Sequence, residues 1–229
     1  MILKLRKELD SLKNPQKAKI QQGFFKTGTG EYGEGDIFLG IAVPVQRRLA
    51  RKYLNLTLSE IQNLLDSKIH EERLVGLIIL VNKFNVGNDP KQIFDFYLKN
   101  TKNINNWDLV DLTAHKIIGE YLLDKNRAVL YKLARSENLW EKRISIIATF
   151  AFIRNNDFGD SLKISELLLN DKNDLIHKAV GWMLREIGKK DLEAEEIFLK
   201  KNYRKMPRTM LRYAIERFSE SKRKYYMSK

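Results

Sequence analysis

Apolar residues recur at three- and four-residue intervals along almost the whole chain, the spacing of one helical face. Ile2, Leu5, Leu9 and Leu12 set the first stripe, and Asn14-Pro15 stops it and opens a second helix running to about Phe25. Val43-Pro44 opens a helix through Tyr53, and Thr57 caps one over residues 58–66. Leu74, Leu77, Ile78 and Val81 stripe a helix over 71–84, and Asn88-Asp89-Pro90 starts another over 91–99. Expected helices then cover 107–123, 127–136, 139–154, 161–169, 175–187, 192–202 and 207–218. No run alternates with period two, so no strand is expected.

A longer period overlies the short one. Arg73, Asp108, Arg143 and Lys178 follow one another at 35-residue intervals, and each opens an apolar run. The runs are Leu74-Val75-Gly76-Leu77, Leu109-Val110-Asp111-Leu112, Ile144-Ser145-Ile146-Ile147 and Ala179-Val180-Gly181-Trp182; one more step reaches Tyr213. A fixed period of this size marks stacked helix pairs, each burying its face against its neighbours. The expected fold is therefore all-α, a single-domain solenoid of roughly a dozen helices over residues 1–229 with one concave face. With the charged residue as column zero, Trp107 stands at −1, Asp111 at +3 and Trp182 at +4. At 100° per residue these and Arg143 fall within about 140° of arc. An Asp, an Arg and two Trp are thus expected to point one way.

Composition narrows the function. The chain has no Cys, which excludes disulfides, a cysteine nucleophile and thiolate metal sites. His70, His115 and His177 are too scattered for metal ligation and read as surface or groove residues. Charge breaks up the N-terminus too early for a signal peptide, and the longest strongly apolar run, residues 144–153, is too short to span a bilayer. A soluble, cytoplasmic protein, nucleoid-associated if bacterial, is expected. With 42 Lys and Arg against 29 Asp and Glu, the net charge is +13, which points to a polyanion, nucleic acid before membrane. Eleven of those cations lie in residues 200–229 against Glu216 and Glu220, and residues 219–229 read as a solvated basic tail.

Residues 23–40 hold six of the twelve Gly, so 26–36 is a loop. It is no phosphate-binding GxGxxG, because no strand precedes it and its Glu31, Glu34 and Asp36 would repel phosphate. It is expected to be mobile, either as plain surface or as a segment shaping access to the concave face.

Three stretches in order carry a resemblance. Asn106-Trp107-Asp108-Leu109-Val110-Asp111, Leu139-Trp140-Glu141-Lys142-Arg143 and residues 177–186, His-Lys-Ala-Val-Gly-Trp-Met-Leu-Arg-Glu, resemble the AlkD-type HEAT-like repeat DNA glycosylases. The resemblance spans about residues 14–218. It implies a monofunctional glycosylase that hydrolyses the N-glycosidic bond of cationic N3- or N7-alkylpurines in duplex DNA. Alkylation already makes the base a good leaving group, so no general acid, metal or organic cofactor is required. Asp111 would then stabilise the developing sugar cation and orient water, with Trp107 and Trp182 offering electron-rich faces. Arg143 would hold a phosphate beside the lesion, which the resemblance implies stays stacked in the duplex. Arg73, Lys142, Lys178, Arg185 and Arg212 complete the cationic face by register. Trp140, at −3, reads as packing. Double-stranded DNA is the expected partner of a monomer.

One departure keeps two further readings open. In the relatives most like AlkD the second helix runs on to the minor groove; here it stops near Phe25 and the Gly-rich loop follows. Relatives lacking that helix end keep the fold yet bind DNA poorly. A DNA-binding paralogue with little excision, for distorted or branched DNA, therefore stands beside the glycosylase, and a HEAT-like protein-interaction scaffold stands third.

Overall fold

His70 to Val81 is an unbroken run of twelve buried residues and makes up most of α5 (His70–Asn85). A helix buried on every side needs neighbours on every side. Here α3 (Val43–Lys52), α4 (Leu58–Leu65), α6 (Pro90–Lys99) and α7 (Trp107–Asp111) all pack against it. The structure, a computed structural model, describes residues 1–87 and 89–228. Asn88 of the expected Asn88-Asp89-Pro90 start and the last residue of the basic tail lie outside them. The chain forms two compact units, Met1–Thr113 and the remainder from Ala114.

In the first unit, α1 (Ile2–Ser11) and α2 (Pro15–Phe24) precede α3, and the sequence signals set the helix starts. Asn14 Oδ1 accepts from Lys17 N–H at 3.0 Å, with Pro15 in the first turn. Thr57 and Glu60 form a reciprocal box at α4, 3.2 and 3.0 Å. Asp89 Oδ1 accepts from Gln92 N–H at 3.0 Å at α6. Each such cap contributes about 1 kcal/mol. Between α2 and α3 the chain makes an isolated bridge, Ile37 with Ile69; among the described residues no strand forms.

The second unit centres on α12 (Asp174–Gly188), packed on α9 (Leu139–Ala148), α13 (Leu192–Asn202) and α14 (Arg208–Ala214). Its α12–α14 approach depends on Gly181: a Cβ there would lie 2.4 Å from Met210 O and 2.5 Å from Tyr213 Cβ. Around this core run α8 (Ala128–Ala134), α10 (Phe150–Arg154) and α11 (Gly159–Leu167). The expected basic tail contains a helix, α15 (Glu220–Met227), with Tyr226 buried and Arg208 Nη1 donating to Met227 O at 2.8 Å. Among the described residues no helix is long and apolar enough to cross a membrane.

The 35-residue register falls within α5, α7, α9, α12 and α14, as a helical-repeat fold requires. Two expected helices are broken. The 139–154 stretch divides at Thr149, whose Oγ1 turns back to Ile146 O at 2.7 Å and competes with the helical ladder. The 107–123 stretch divides after Asp111, where Thr113 Oγ1 takes Leu109 O at 2.5 Å; a π-helical turn, His115–Gly119, follows. These hydroxyl back-bonds bend a helix without changing its apolar stripe, so periodicity does not register them.

Candidate functional site

Helix α7 is a single turn and a half, and what fixes its position lies outside it. Asn106 Oδ1 caps it, accepting from Trp107 N–H at 2.8 Å. Trp107 and Asp111, one turn apart, are both half-buried, whereas Asp108 and the Leu109-Val110 pair face inward. Asp108 Oδ1 accepts from Leu109 N–H at 2.9 Å, and its Oδ2 lies 2.8 Å from His70 Nε2. Beneath α7, burial pushes the Tyr97 phenol well above its ordinary pKa, and its hydroxyl meets Thr113 Oγ1 at 2.9 Å.

The indole of Trp107 is stacked on Phe25, centroids 5.0 Å apart at 15°, with Phe24 edge-on at 5.7 Å. Phe25 stacks in turn on Phe38 at 4.9 Å, and Phe38 on the His70 ring at 4.4 Å. The end of α2, the segment after the Gly-rich loop and the first residue of α5 therefore form one column of rings under Trp107.

His70 ends that column in charge. Its Nδ1 lies 3.2 Å from Asp36 Oδ2 while Nε2 faces Asp108, and Arg73 Nη2 donates to Asp36 Oδ2 at 2.5 Å. Arg73 Nη1 also donates to Ser67 O at 2.8 Å. All four side chains are buried. Burial and the nearby Arg73 charge oppose charge on His70, yet the hydrogen bond and charge of Asp108 and the hydrogen bond of Asp36 outweigh them and raise its pKa above the ordinary imidazole value. A ring with a carboxylate at each nitrogen donates from both, which makes it an imidazolium. Two anions and two cations then balance in the interior, the arrangement buried ions require.

The loop over residues 26–36 is stitched to itself and to α5. Glu31 Oε2 accepts from Gly28 N–H and Glu34 Oε2 from Gly30 N–H, both at 2.9 Å, and Gly33 N–H donates to Lys26 O at 3.0 Å. Gly33 lies against the end of α2: a Cβ there would stand 2.5 Å from Phe25 O. After the loop, the N–H groups of Leu39, Gly40 and Ile41 converge on the buried Glu71 carboxylate at 2.9, 2.9 and 3.2 Å. The loop acids thus satisfy the protein's own donors.

Two expectations need correction here. His70 is no surface or groove residue; it is 1% exposed, and His115 is buried as well. By register Arg73 belongs on the cationic face, but it is 4% exposed and committed to Asp36 and Ser67. Asp36, Phe25, Phe38 and His70 escaped the sequence reading. Two sequence signals bear on them: Asp36 directly precedes the apolar stretch Ile37-Phe38-Leu39-Gly40-Ile41, and His70 and Arg73 stand one turn apart.

In the second unit, Trp182 is half-buried on α12, tilted against Phe150 at 5.9 Å, and its Nε1 donates to Glu186 Oε1 at 3.0 Å. Arg143 is 5% exposed and Nη1 donates to Leu175 O. Lys142 pairs with Asp171 at 2.9 Å, Lys178 with Asp174 at 2.6 Å, and Arg185 with Glu216. Arg212 is exposed, and Trp140 is buried, in keeping with packing. Among the described residues no group of His, Asp and Glu converges as metal ligands; Asp36 and Asp108 take opposite nitrogens of His70.

The model of a family described as DNA alkylation repair enzyme matches residues 5–218. No curated protein matches the sequence. Among solved structures, an Enterococcus faecalis protein described as a predicted DNA alkylation repair enzyme aligns with a TM-score of 0.70 at 17% identity, over 91% of this chain and 97% of its own. AlkD2 from Streptococcus mutans aligns at 0.61 and 16% identity, over 88% and 99%. The smu.31 protein of Streptococcus mutans UA159 aligns at 0.56 and 18%, over 75% and 89%. At these identities the likeness is one of fold.

Proposed function

Since the chain belongs to the DNA alkylation repair enzyme family, we propose that it is a monofunctional glycosylase. Its substrates would be cationic N3- and N7-alkylpurines in duplex DNA. The observation that carries this reading is the sorting of carboxylates on α7. Asp108 is buried against His70, while Asp111 stays half-exposed one turn from Trp107.

In the proposed reaction the bond between C1′ and the alkylated base breaks, and its electron pair leaves with the base, which becomes neutral. Asp111 is an anion where the sugar becomes a cation, and its carboxylate aligns the water that adds to C1′ and takes up the released proton. Trp107 and Trp182 offer ring faces to cationic sugar or base edges, a contact contributing about 1–2 kcal/mol each. No metal or organic cofactor is called for by this chemistry. Lys142, Lys178, Arg185 and Arg212 are the proposed phosphate contacts; Arg212 is exposed, and the other three, partly exposed, would exchange Asp171, Asp174 and Glu216 for phosphate. Arg143 keeps its place beside the lesion on the motif, and binding has to turn its guanidinium away from Leu175 O. Arg73 is left out, held by Asp36.

A second reading, duplex binding with little excision, is favoured by one feature: α2 ends at Phe24 and the Gly-rich loop follows. One experiment separates the two. Duplex carrying N7-methylguanine is incubated with the protein, and free base and salt-dependent binding are measured. Base release with a log K against log salt slope near −4 to −5, about five phosphates neutralised, supports the glycosylase. The same slope without release leaves the second reading, and a slope near zero removes both.

A further inference from the structure

Trp107 and Asp111 ride on a helix of five residues, too short to hold itself in place. Its position has to come from contacts made outside α7. Besides the buried Leu109 and Val110, these include the ring column under Trp107 and the ion cluster under Asp108. Both meet at one side chain. The His70 ring is the last member of the column, stacked on Phe38, and the centre of the cluster, between Asp36 and Asp108.

We propose that His70 is the positioning residue of this site: held between Asp36 and Asp108, it ties the Gly-rich loop to α7 and fixes how Trp107 and Asp111 are presented. The proposal rests on the catalytic reading of those two residues. Two elements remote in sequence converge on His70: Asp36 ends the loop and Asp108 lies in α7, while Arg73, one turn further along α5, holds Asp36 in turn. No other charged group is found against the ring among the contacts described; its faces meet Phe38 and Phe25. The clamp is directional. The other oxygen of Asp108 holds Leu109 N–H, so the carboxylate that meets His70 is also bonded to the backbone of α7. Asp36 cannot leave without freeing the Arg73 guanidinium in the interior. A neutral ring would satisfy only one of the two carboxylates, so the protonated form is the one that clamps.

The purely structural alternative, an ion cluster that stabilises the fold and nothing more, differs in what it moves. A positioning residue changes the chemical step and the surroundings of Trp107, and leaves duplex affinity in place. His70→Gln and Asp108→Asn, each checked for folding by circular dichroism, are therefore compared with the parent protein. The clamp predicts single-turnover excision down about 10–100-fold with the duplex Kd within about threefold, as expected when a reacting group is displaced by about an ångström. The double variant should lose no more than the worse single variant, since both remove one contact. Excision unchanged in a folded His70→Gln protein overturns the proposal.

Two readouts stand apart from excision, so that a failure of the glycosylase reading is recognisable as such. In a Trp140→Phe, Trp182→Phe background, emission reports Trp107 alone. His70→Gln should shift that emission and raise its quenching by acrylamide, and an unchanged spectrum overturns the clamp. In the intact protein, ¹⁵N-histidine NMR should find both His70 nitrogens protonated above the ordinary imidazole range, about pH 6.5. A neutral ring there also overturns it.

Discussion

Asp108 and Asp111 stand three residues apart on α7 and meet opposite surroundings. Asp108 Oδ2 is 2.8 Å from His70 Nε2 in the interior, and Asp111 is half-exposed. Asp108 thereby anchors this short helix to His70 on α5.

The anchor makes stability depend on pH through His70. Its folded pKa lies above the unfolded value of 6.5, so the stabilisation is fully present below about 6.5 and is lost as pH rises through the raised value. Thermal melts of the parent protein should show that decline above about pH 6.5, and His70→Gln should decline less steeply there, because only the share of other groups remains. Removing one member of a buried ion cluster costs about 3–5 kcal/mol, so the variant should also melt lower at neutral pH. Identical pH profiles for the two proteins would refute the assignment.

The Gly-rich loop should be clipped only at its tip. Gly28, Thr29, Gly30 and Glu31 are exposed, whereas Gly33 and Asp36 are buried at its return. Limited proteolysis should cut within residues 28–31 and spare 33–41, where Glu71 holds three backbone N–H groups. Gly33→Ala places a methyl 2.5 Å from Phe25 O and should cost about 1–3 kcal/mol in urea unfolding. First cuts in 33–41 would show that the return is not held.

The helical repeat was readable because its signal is local. A charged opener and an apolar run return every 35 residues, and each landed in the expected helix. The α7 motif was readable for the same reason. The clamp was not, because its partners are far apart in sequence: 34 residues separate Asp36 from His70, and 38 separate His70 from Asp108. Register fixes the direction in which Arg73 points. It does not reveal that an acidic residue from a loop arrives there and takes it. Of the loop acids, Glu31 and Glu34 accept from the loop's own amides, a role set by backbone turns rather than by composition, and Asp36 takes His70 and Arg73.

A second titrating group lies on α13. Glu195 is 2% exposed, and burial, with Glu196 adding to it, pushes its carboxyl up to about 8. It fits because the facing residue is Gly188, where a Cβ would fall 1.7 Å from Glu195 Oε2. The folded state therefore holds a proton that the unfolded chain releases near 4.5. Stability should fall as pH rises from about 4.5 to about 8 and level off beyond, by on the order of 4 kcal/mol. Glu195→Gln should reduce that slope to the share of other groups, and chemical unfolding at pH 5 and pH 8 measures it. An equal slope in both proteins would rule Glu195 out.

The most direct test of the account is single-turnover release of N7-methylguanine from duplex DNA by the parent protein and by Asp111→Asn. The substitution keeps shape and removes charge, so duplex affinity should hold or rise as repulsion from phosphate is lost. Release should fall by about 10²–10³, or roughly 3–4 kcal/mol of barrier, if the carboxylate stabilises the sugar cation. Release at the parent rate with Asn at position 111 would contradict it.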